Sequence, residues 1–521
     1  MKKRPNIVCI ISDDTDHSYL GFSGGGKNVL TPRLDQLAAE GAIFNNAYCC
    51  GAVCTASRYS YLTGLYPGRC DGEDFMESFP VEDLYSQEWN AYIDRPEDCL
   101  GHQFTQAGYR TGYVGKMHAG RHASALGIHV SDQPENADPA DPEFAKILEN
   151  NHKKMIAEMN RLGFEYADSL YWNNADINRA KKMHVHNLEW ITDGALEFLD
   201  SSQNDDRPFL LYMATTTIHG PDHRDSIEGD PLVTSKGLLK EAPNVMPPRH
   251  TIKERLRAAG IPYTHDPAGA LWTDDAIGAV LDKLDAMGVA DDTLVVYHVD
   301  HNVVGKATCY EQGVHIPMAA KWPGKITPQT EIDGRVQNVD LLPTLLDACD
   351  IAPSKKFDGT SFLPLLDGKT DEVHDDLYFE IGTFRGVSTK KWKYIELRYR
   401  EEDIERMKNG EVDVALDAYR AAPCMACKTG VFHYPAYFDP DQLYNLEADL
   451  GEQNNLADNP AFADVLAEMR NRLHNYTGSF QHHWPDGPQP FQQTERYDEL
   501  THRRRETETL ANWWSIERKP R

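Results

Sequence analysis

Cys54-Thr55-Ala56-Ser57-Arg58 sets a nucleophile and a cation four residues apart. On a helix such a pair shares one face, and a helix N-terminus favours an anion. Cys54 and Arg58 together therefore suit attack on a negatively charged group. Two further groups follow apolar runs: Asp13-Asp14 after the first, and Asp300-His301 after a late one. Carboxylates at the end of a buried strand are hard oxygen ligands for a divalent cation. Dry and unpaired they would be costly, and a cation removes that cost. Other readings of these residues stay open at this point. Cys49, Cys50 and Cys54 also suit a cluster of structural thiols, or Cys50 and Cys54 a disulfide. Asp300 also suits a helix N-cap, with His301 solvated.

The elements that must position these groups alternate between strand and helix patterns, as an α/β fold does. Asn6 to Ile11 reads as a buried parallel strand. Thr31 to Gly41 reads as a helix with a Thr cap, an early Pro and a closing Gly. Further helices are expected over about Ala56 to Gly64, His102 to Gly108, Asn187 to Leu199, Leu271 to Met287 and Val339 to Ala348. Further strands are expected over Arg110 to Val114, Pro208 to Thr216 and Thr293 to Val299. Open parallel sheets carry their sites beyond the strand C-termini, which is where the acidic groups fall.

This pattern predicts a large, mostly parallel sheet flanked by helices over residues 1–371. Residues 122–187 read as an insertion over one face, helical around Phe144 to Leu162. Residues 372–477 read as a smaller α+β subdomain with antiparallel strands Leu377 to Ile381, Phe384 to Val387 and Trp392 to Leu397, then a helix, Ala461 to Tyr476. The tail, 478–521, is expected to pack on the domain or on a partner subunit, which leaves a homo-oligomer open.

The formal net charge of −28 argues against nucleic acid and anionic membrane surfaces as partners. An anionic substrate would meet a repulsive overall field, so positive charge has to be concentrated in one pocket. No stretch approaches the ~20 apolar residues that span a bilayer. Ile7 to Ile11 is too short for the core of an export signal, so a cytoplasmic location is expected. Ten cysteines do not make a disulfide framework in a chain this long. Cys424-x-x-Cys427 lacks a second pair for zinc. Gly21 to Lys27 matches the glycine and lysine spacing of a phosphate-binding loop, but Asn28 stands where a magnesium-binding hydroxyl would be needed.

The Cys54 pentapeptide resembles the sulfatase signature Cys-x-Pro-x-Arg, with Ala56 in place of Pro. Gly115-Lys116-Met117-His118 resembles the Gly-Lys-x-His of that family. Lys306 to Pro317 is similar to its Lys-x-x-x-Tyr-Glu-x-Gly-x-Arg-x-Pro, with His315 for Arg. Asp300-His301 and His219 fall in matching order, and Asn302 replaces a usual Gly. The resemblance spans about residues 5 to 457.

It implies an alkaline-phosphatase-like fold and a formylglycine-dependent sulfuric ester hydrolase acting on a small anionic sulfated substrate, a sulfated saccharide. Cys54 would be converted to 3-oxoalanine (formylglycine) by a maturation enzyme. Asp13, Asp14, residue 54, Asp300 and His301 would hold a divalent metal. The resemblance implies Ca²⁺, with Mn²⁺ or Mg²⁺ as alternatives, and the imidazole leans toward Mn²⁺ or Zn²⁺. Lys116, Lys306 and Arg58 would hold sulfate oxygens. His219, with help from Lys306, would protonate the departing alcohol, and His118 would be the base that releases sulfate. Two alternatives share the pattern: a phosphodiesterase or phosphonate monoester hydrolase of the same superfamily, and an unmodified binder of sulfated glycans.

Overall fold

The structure, a computed structural model, describes residues 4–128, 130, 132–409 and 433–485. Cys424, Cys427 and the tail beyond residue 485 lie outside the described residues.

Eight strands make the main sheet: β1 (Asn6–Ser12), β2 (Ala42–Phe44), β3 (Arg110–Lys116), β4 (Tyr166–Tyr171), β5 (Phe209–Ala214), β6 (Thr293–Val299), β7 (Met318–Lys321) and β8 (Thr330–Ile332). Their order is β8-β2-β7-β6-β1-β5-β3-β4. β7 runs antiparallel to β6 and β2, and the other pairs are parallel. β1 lies at the centre, between β5 and β6. Ile7, Val8, Ile10 and Ile11 are fully buried, each stabilising the fold by about 1.5–3 kcal/mol on leaving water. That burial fixes the end of β1, and with it the place of Asp13 and Asp14.

The helices are α1 (Pro32–Ala39), α2 (Cys54–Thr63), α3 (Pro142–Arg161), α4 (Leu188–Ser202), α5 (His265–Ala286), α6 (Leu341–Ala348) and α7 (Ala463–Thr477), besides shorter ones. α2 is buried at every residue. It begins at Cys54 itself, two residues before the expected start, because Val53 is extended and acts as the N-cap. It ends where Gly64 turns left-handed at φ 65°, a conformation glycine adopts without a Cβ penalty.

Residues 122–187, expected as an insertion over one face, are more deeply integrated than that. Asp141 caps α3 by accepting from the Glu143 and Phe144 amides. The chain then enters β4, which pairs in parallel with β3 as the edge of the main sheet. The sequence Tyr-Ala-Asp-Ser-Leu-Tyr gives little strand periodicity because the small Ala167 and polar Ser169 take buried positions, and Leu170 and Tyr171 are buried in succession.

The C-terminal subdomain is a four-stranded antiparallel sheet of β9 (Leu377–Ile381), β10 (Phe384–Ser388), β11 (Trp392–Leu397) and β12 (Asp441–Asn445). Helix α7 covers it through Met469 and Leu473, against Tyr378, Val387 and Tyr394. The sheet is tied to the N-terminal half where the Glu380 amide donates to the Cys50 carbonyl at 2.8 Å, four residues before Cys54. The first residues of the tail pack back on the fold: Trp484 Nε1 donates to Glu396 at 2.7 Å. Among the described residues no helix is long and apolar enough to cross a membrane.

One irregularity in the sheet matters for the site. The β3–β4 register shifts between Val114 and Gly115, and Gly115 sits at φ +92°. Such a bulge re-aims the next side chain, here Lys116. A Cβ at Gly115 would collide with the Ala214 carbonyl oxygen of β5. Gly115→Ala is therefore expected to cost about 1–3 kcal/mol, read as a lower midpoint in urea denaturation, and to lower activity in protein that still folds.

Candidate active site

Four strand ends converge with the start of α2. Asp13 and Asp14 follow β1, Lys116 closes β3, with His118 just beyond it, His219 follows β5, and Asp300 and His301 follow β6. Asp13, Lys116, Asp300 and His301 are fully buried, and Asp14, His118 and Lys306 nearly so. Asp14 and His118 are held at positive φ, 49° and 29°, the kind of backbone strain that gathers at functional sites.

Charges of opposite sign compensate one another across this cup. Lys116 Nζ bonds the Asp13 carboxylate. Lys306 Nζ donates to both Asp14 oxygens at 2.8 Å. Arg58 pairs with Asp300 Oδ2 at 3.2 Å and reaches Asp13 Oδ1 at 3.6 Å. Burial alone would raise both Asp13 and Asp14. Lys116 and Arg58 outweigh it and hold Asp13 well below the usual carboxylate range. Lys306 acts in the same direction on Asp14. Asp300 is pushed up by burial and by Asp13.

One atom each from Asp13, Asp14, Cys54 and His301 lies within 4.8 Å of the others. His301 Nδ1 is 2.9 Å from the Asn302 carbonyl oxygen, which can only accept, so Nδ1 carries the proton. The lone pair of Nε2 then faces Cys54 Sγ at 3.4 Å and Asp14 Oδ1 at 3.3 Å. A histidine oriented through its second nitrogen is how proteins present imidazole to a metal. Two carboxylates, an imidazole lone pair and residue 54 thus fit a divalent cation.

Two sequence-predicted residues are engaged with partners inside the protein. Asp300, expected among the ligands, is outside the four-atom group. Its Oδ1 accepts from the Asp14 and His301 amides at 3.0 and 2.9 Å, and its Oδ2 holds Arg58. Arg58, expected on sulfate, lies beneath the cup with its guanidinium committed to carboxylates and to the Lys116 carbonyl. The Cys54 thiol is 3.5 Å from Asp13 Oδ1. Burial pushes it upward despite Lys116 and Lys306. Cys49, Cys50 and Cys54 are all buried free thiols, and Cys50 contacts Ser60 Oγ at 3.0 Å, so the disulfide reading is not realised. His118 Nδ1 is buried with no hydrogen-bond partner among the described residues. Burial, then Lys116 and Arg58, push its pKa well below the usual histidine value, which leaves the ring neutral.

Asn174 was not legible in the sequence. Its Oδ1 accepts from Lys116, and its Nδ2 lies 2.8 Å from His219 Nε2. An ammonium has only donors, so the carboxamide must turn its oxygen to Lys116 and its NH₂ to His219. His219 therefore accepts at Nε2 and donates from Nδ1 to the Gly220 carbonyl at 3.0 Å. A second supporting layer was missed as well: Ser57 Oγ donates to the Asp300 carbonyl at 2.6 Å, and Asn338 Nδ2 to Ser57 Oγ at 3.0 Å. A single side chain in a motif-poor loop gives no periodic signal, and no spacing rule pairs positions so far apart.

Comparison with known proteins agrees with this geometry. Residues 5–351 match the family described as Sulfatase, and residues 299–413 match N-sulphoglucosamine sulphohydrolase, C-terminal. An ulvan-active sulfatase of Formosa agariphila is 26% identical over 483 residues, covering 90% of this chain and 80% of its own. An N-acetylgalactosamine-6-O-sulfatase of Bacteroides thetaiotaomicron is 24% identical, covering 90% of this chain and 92% of its own. A protein solved in complex with its substrate D-glucosamine-2-N,6-O-disulfate shares the fold, with a TM-score of 0.57 and 17% identity over 92% of this chain and 98% of that one. A family match over residues 5–351 covers well over half of the chain: the protein belongs to the sulfatase family and is a sulfuric ester hydrolase.

Proposed function

We propose that the protein hydrolyses a sulfate monoester of a carbohydrate, using a formylglycine made from Cys54 and a divalent cation, Ca²⁺, held by Asp13, Asp14, residue 54 and His301. The observation that carries this reading is the buried meeting of those four side chains with Lys116 and Lys306 on either side. The carbohydrate part rests on the relatives, two of which are named for an ulvan activity and an N-acetylgalactosamine-6-O-sulfatase activity.

When bound, the cation supplies a Lewis acid for a sulfate oxygen and for the nucleophile. It also adds its two charges to a set in which Asp13, Asp14 and Asp300 are formally balanced by Arg58, Lys116 and Lys306. The cup then carries the excess positive charge that a sulfate ester needs against a chain of net charge −28.

Lys116 and Lys306 flank the site and hold sulfate oxygens, stabilising the charge of the transition state. Arg58 acts from below, holding Asp13 and Asp300 in place through its ion pairs. A thiolate attacking sulfur would leave an S-sulfonate with no easy exit. A hydrated aldehyde at residue 54 offers one hydroxyl for attack and another whose deprotonation expels sulfate. His118, neutral and with an unengaged ring nitrogen, suits the base that takes that proton. His219 protonates the departing alcohol. In the substrate-free arrangement its Nε2 accepts from Asn174, so its acid form requires a proton at Nε2 and displacement of that carboxamide.

Two outcomes follow. After co-expression with a formylglycine-generating enzyme, the peptide containing Cys54 should show the mass of the aldehyde, and Cys54→Ala should lower kcat on an aryl sulfate by about a thousandfold or more. A full-mass thiol in protein that is active would contradict the assignment. Exhaustive dialysis against a chelator should abolish most activity, and Ca²⁺ should restore it. Metal analysis of protein purified without chelator should give close to one divalent ion per chain, and unchanged activity in metal-free protein would contradict the assigned ligand set.

A further inference from the structure

Asn174 also lines a cleft, open to solvent, between α3 and the loop that follows β4. The side chain that bridges Lys116 and His219 is thus shared between the sulfate cup and the cleft. The wall carries carboxamides at Asn173, Asn174 and Asn178, and the indole of Trp172. Trp172 stands edge-on to His118, with ring centroids 6.1 Å apart. Ile177, also on the wall, is 45% exposed, one of the few large apolar side chains that the described surface leaves open. None of the described lining residues is Asp, Glu, Lys or Arg.

That chemistry suits one kind of occupant. A sugar ring offers C–H faces to an indole or an aliphatic side chain, and hydroxyls to carboxamides that both donate and accept. A second sulfate or a carboxylate brought into the same cleft would lose its water without meeting a cation among the described lining residues, and unpaired buried charge is expensive. The field of a chain at −28 adds repulsion for polyanions outside the cup. We propose that this cleft receives the sugar carrying the ester and selects a singly sulfated, otherwise neutral saccharide. The proposal rests on the sulfatase reading above.

The test compares kcat/KM for a neutral disaccharide with one sulfate against matched disaccharides that carry, on the same sugar, a second sulfate or a uronate carboxylate. Each value is divided by the same protein's rate on a small aryl sulfate, which corrects for folding and for maturation of Cys54. The mature wild-type enzyme should favour the neutral compound by about tenfold or more, the penalty of leaving a charged group unpaired. Ile177→Arg, a change at an exposed position, should narrow that preference by about threefold, the worth of one solvent-exposed ion pair. Equal or faster cleavage of the dianionic compounds by the wild type, or a preference that Ile177→Arg does not move, would overturn the proposal. Failure of mature wild-type protein to cleave the aryl sulfate would instead overturn the sulfatase reading, and this proposal with it.

Discussion

The mutual compensation of Asp13, Asp14 and Asp300 by Lys116, Lys306 and Arg58 is the constraint on which the rest of the structure depends. Each of these groups gives up several kcal/mol of hydration on burial, and only close partners of opposite sign return it. None of the three ion pairs is made within one segment of the chain. The end of β1 brings two acids, β3 one lysine, α2 the arginine, and the segment after β6 the third acid and the other lysine. The cup therefore exists only when the parallel core is fully assembled, and local strain is tolerated there: positive φ at Asp14 and His118, and a bulge at Gly115.

The same balance explains how an acidic protein handles an anion. Its overall charge of −28 offers no long-range attraction. Three buried cations paired with three carboxylates make a formally neutral cup. In the proposed function a divalent ion held there would add a local excess of positive charge, confined to the few ångströms where a sulfate group would bind. The uncharged walls around Trp172 and Asn178 continue that pattern outward.

Much of this was legible before any fold was known, because the chemistry sits at the ends of strands. β1 and β6 are continuous apolar runs whose C-termini are marked by acids, so burial and site could be read together. Cys54 and Arg58 declared themselves through helical spacing, although α2 starts two residues earlier than its apolar pattern suggested. What could not be read was partnership. Nothing local says that Arg58 turns to Asp300 rather than toward substrate, or that Asp300 spends one oxygen on two backbone amides. β4 escaped because its buried positions include the polar Ser169 and the small Ala167, which hide the alternation. β12 escaped because Asp441–Asn445 is a short run of five residues, three of them polar. Asn174 escaped because its importance lies wholly in two long-range hydrogen bonds.

Anomalous scattering from crystals grown with Ca²⁺ or Mn²⁺ tests the central claim most directly, because it locates the ion instead of inferring it from activity. One peak bonded to Asp13, Asp14, residue 54 and His301, with Lys116 and Lys306 on either side of it, is the result this account predicts. An ion bound elsewhere, or a cup that stays closed by its own lysine–aspartate pairs at saturating metal, would contradict it.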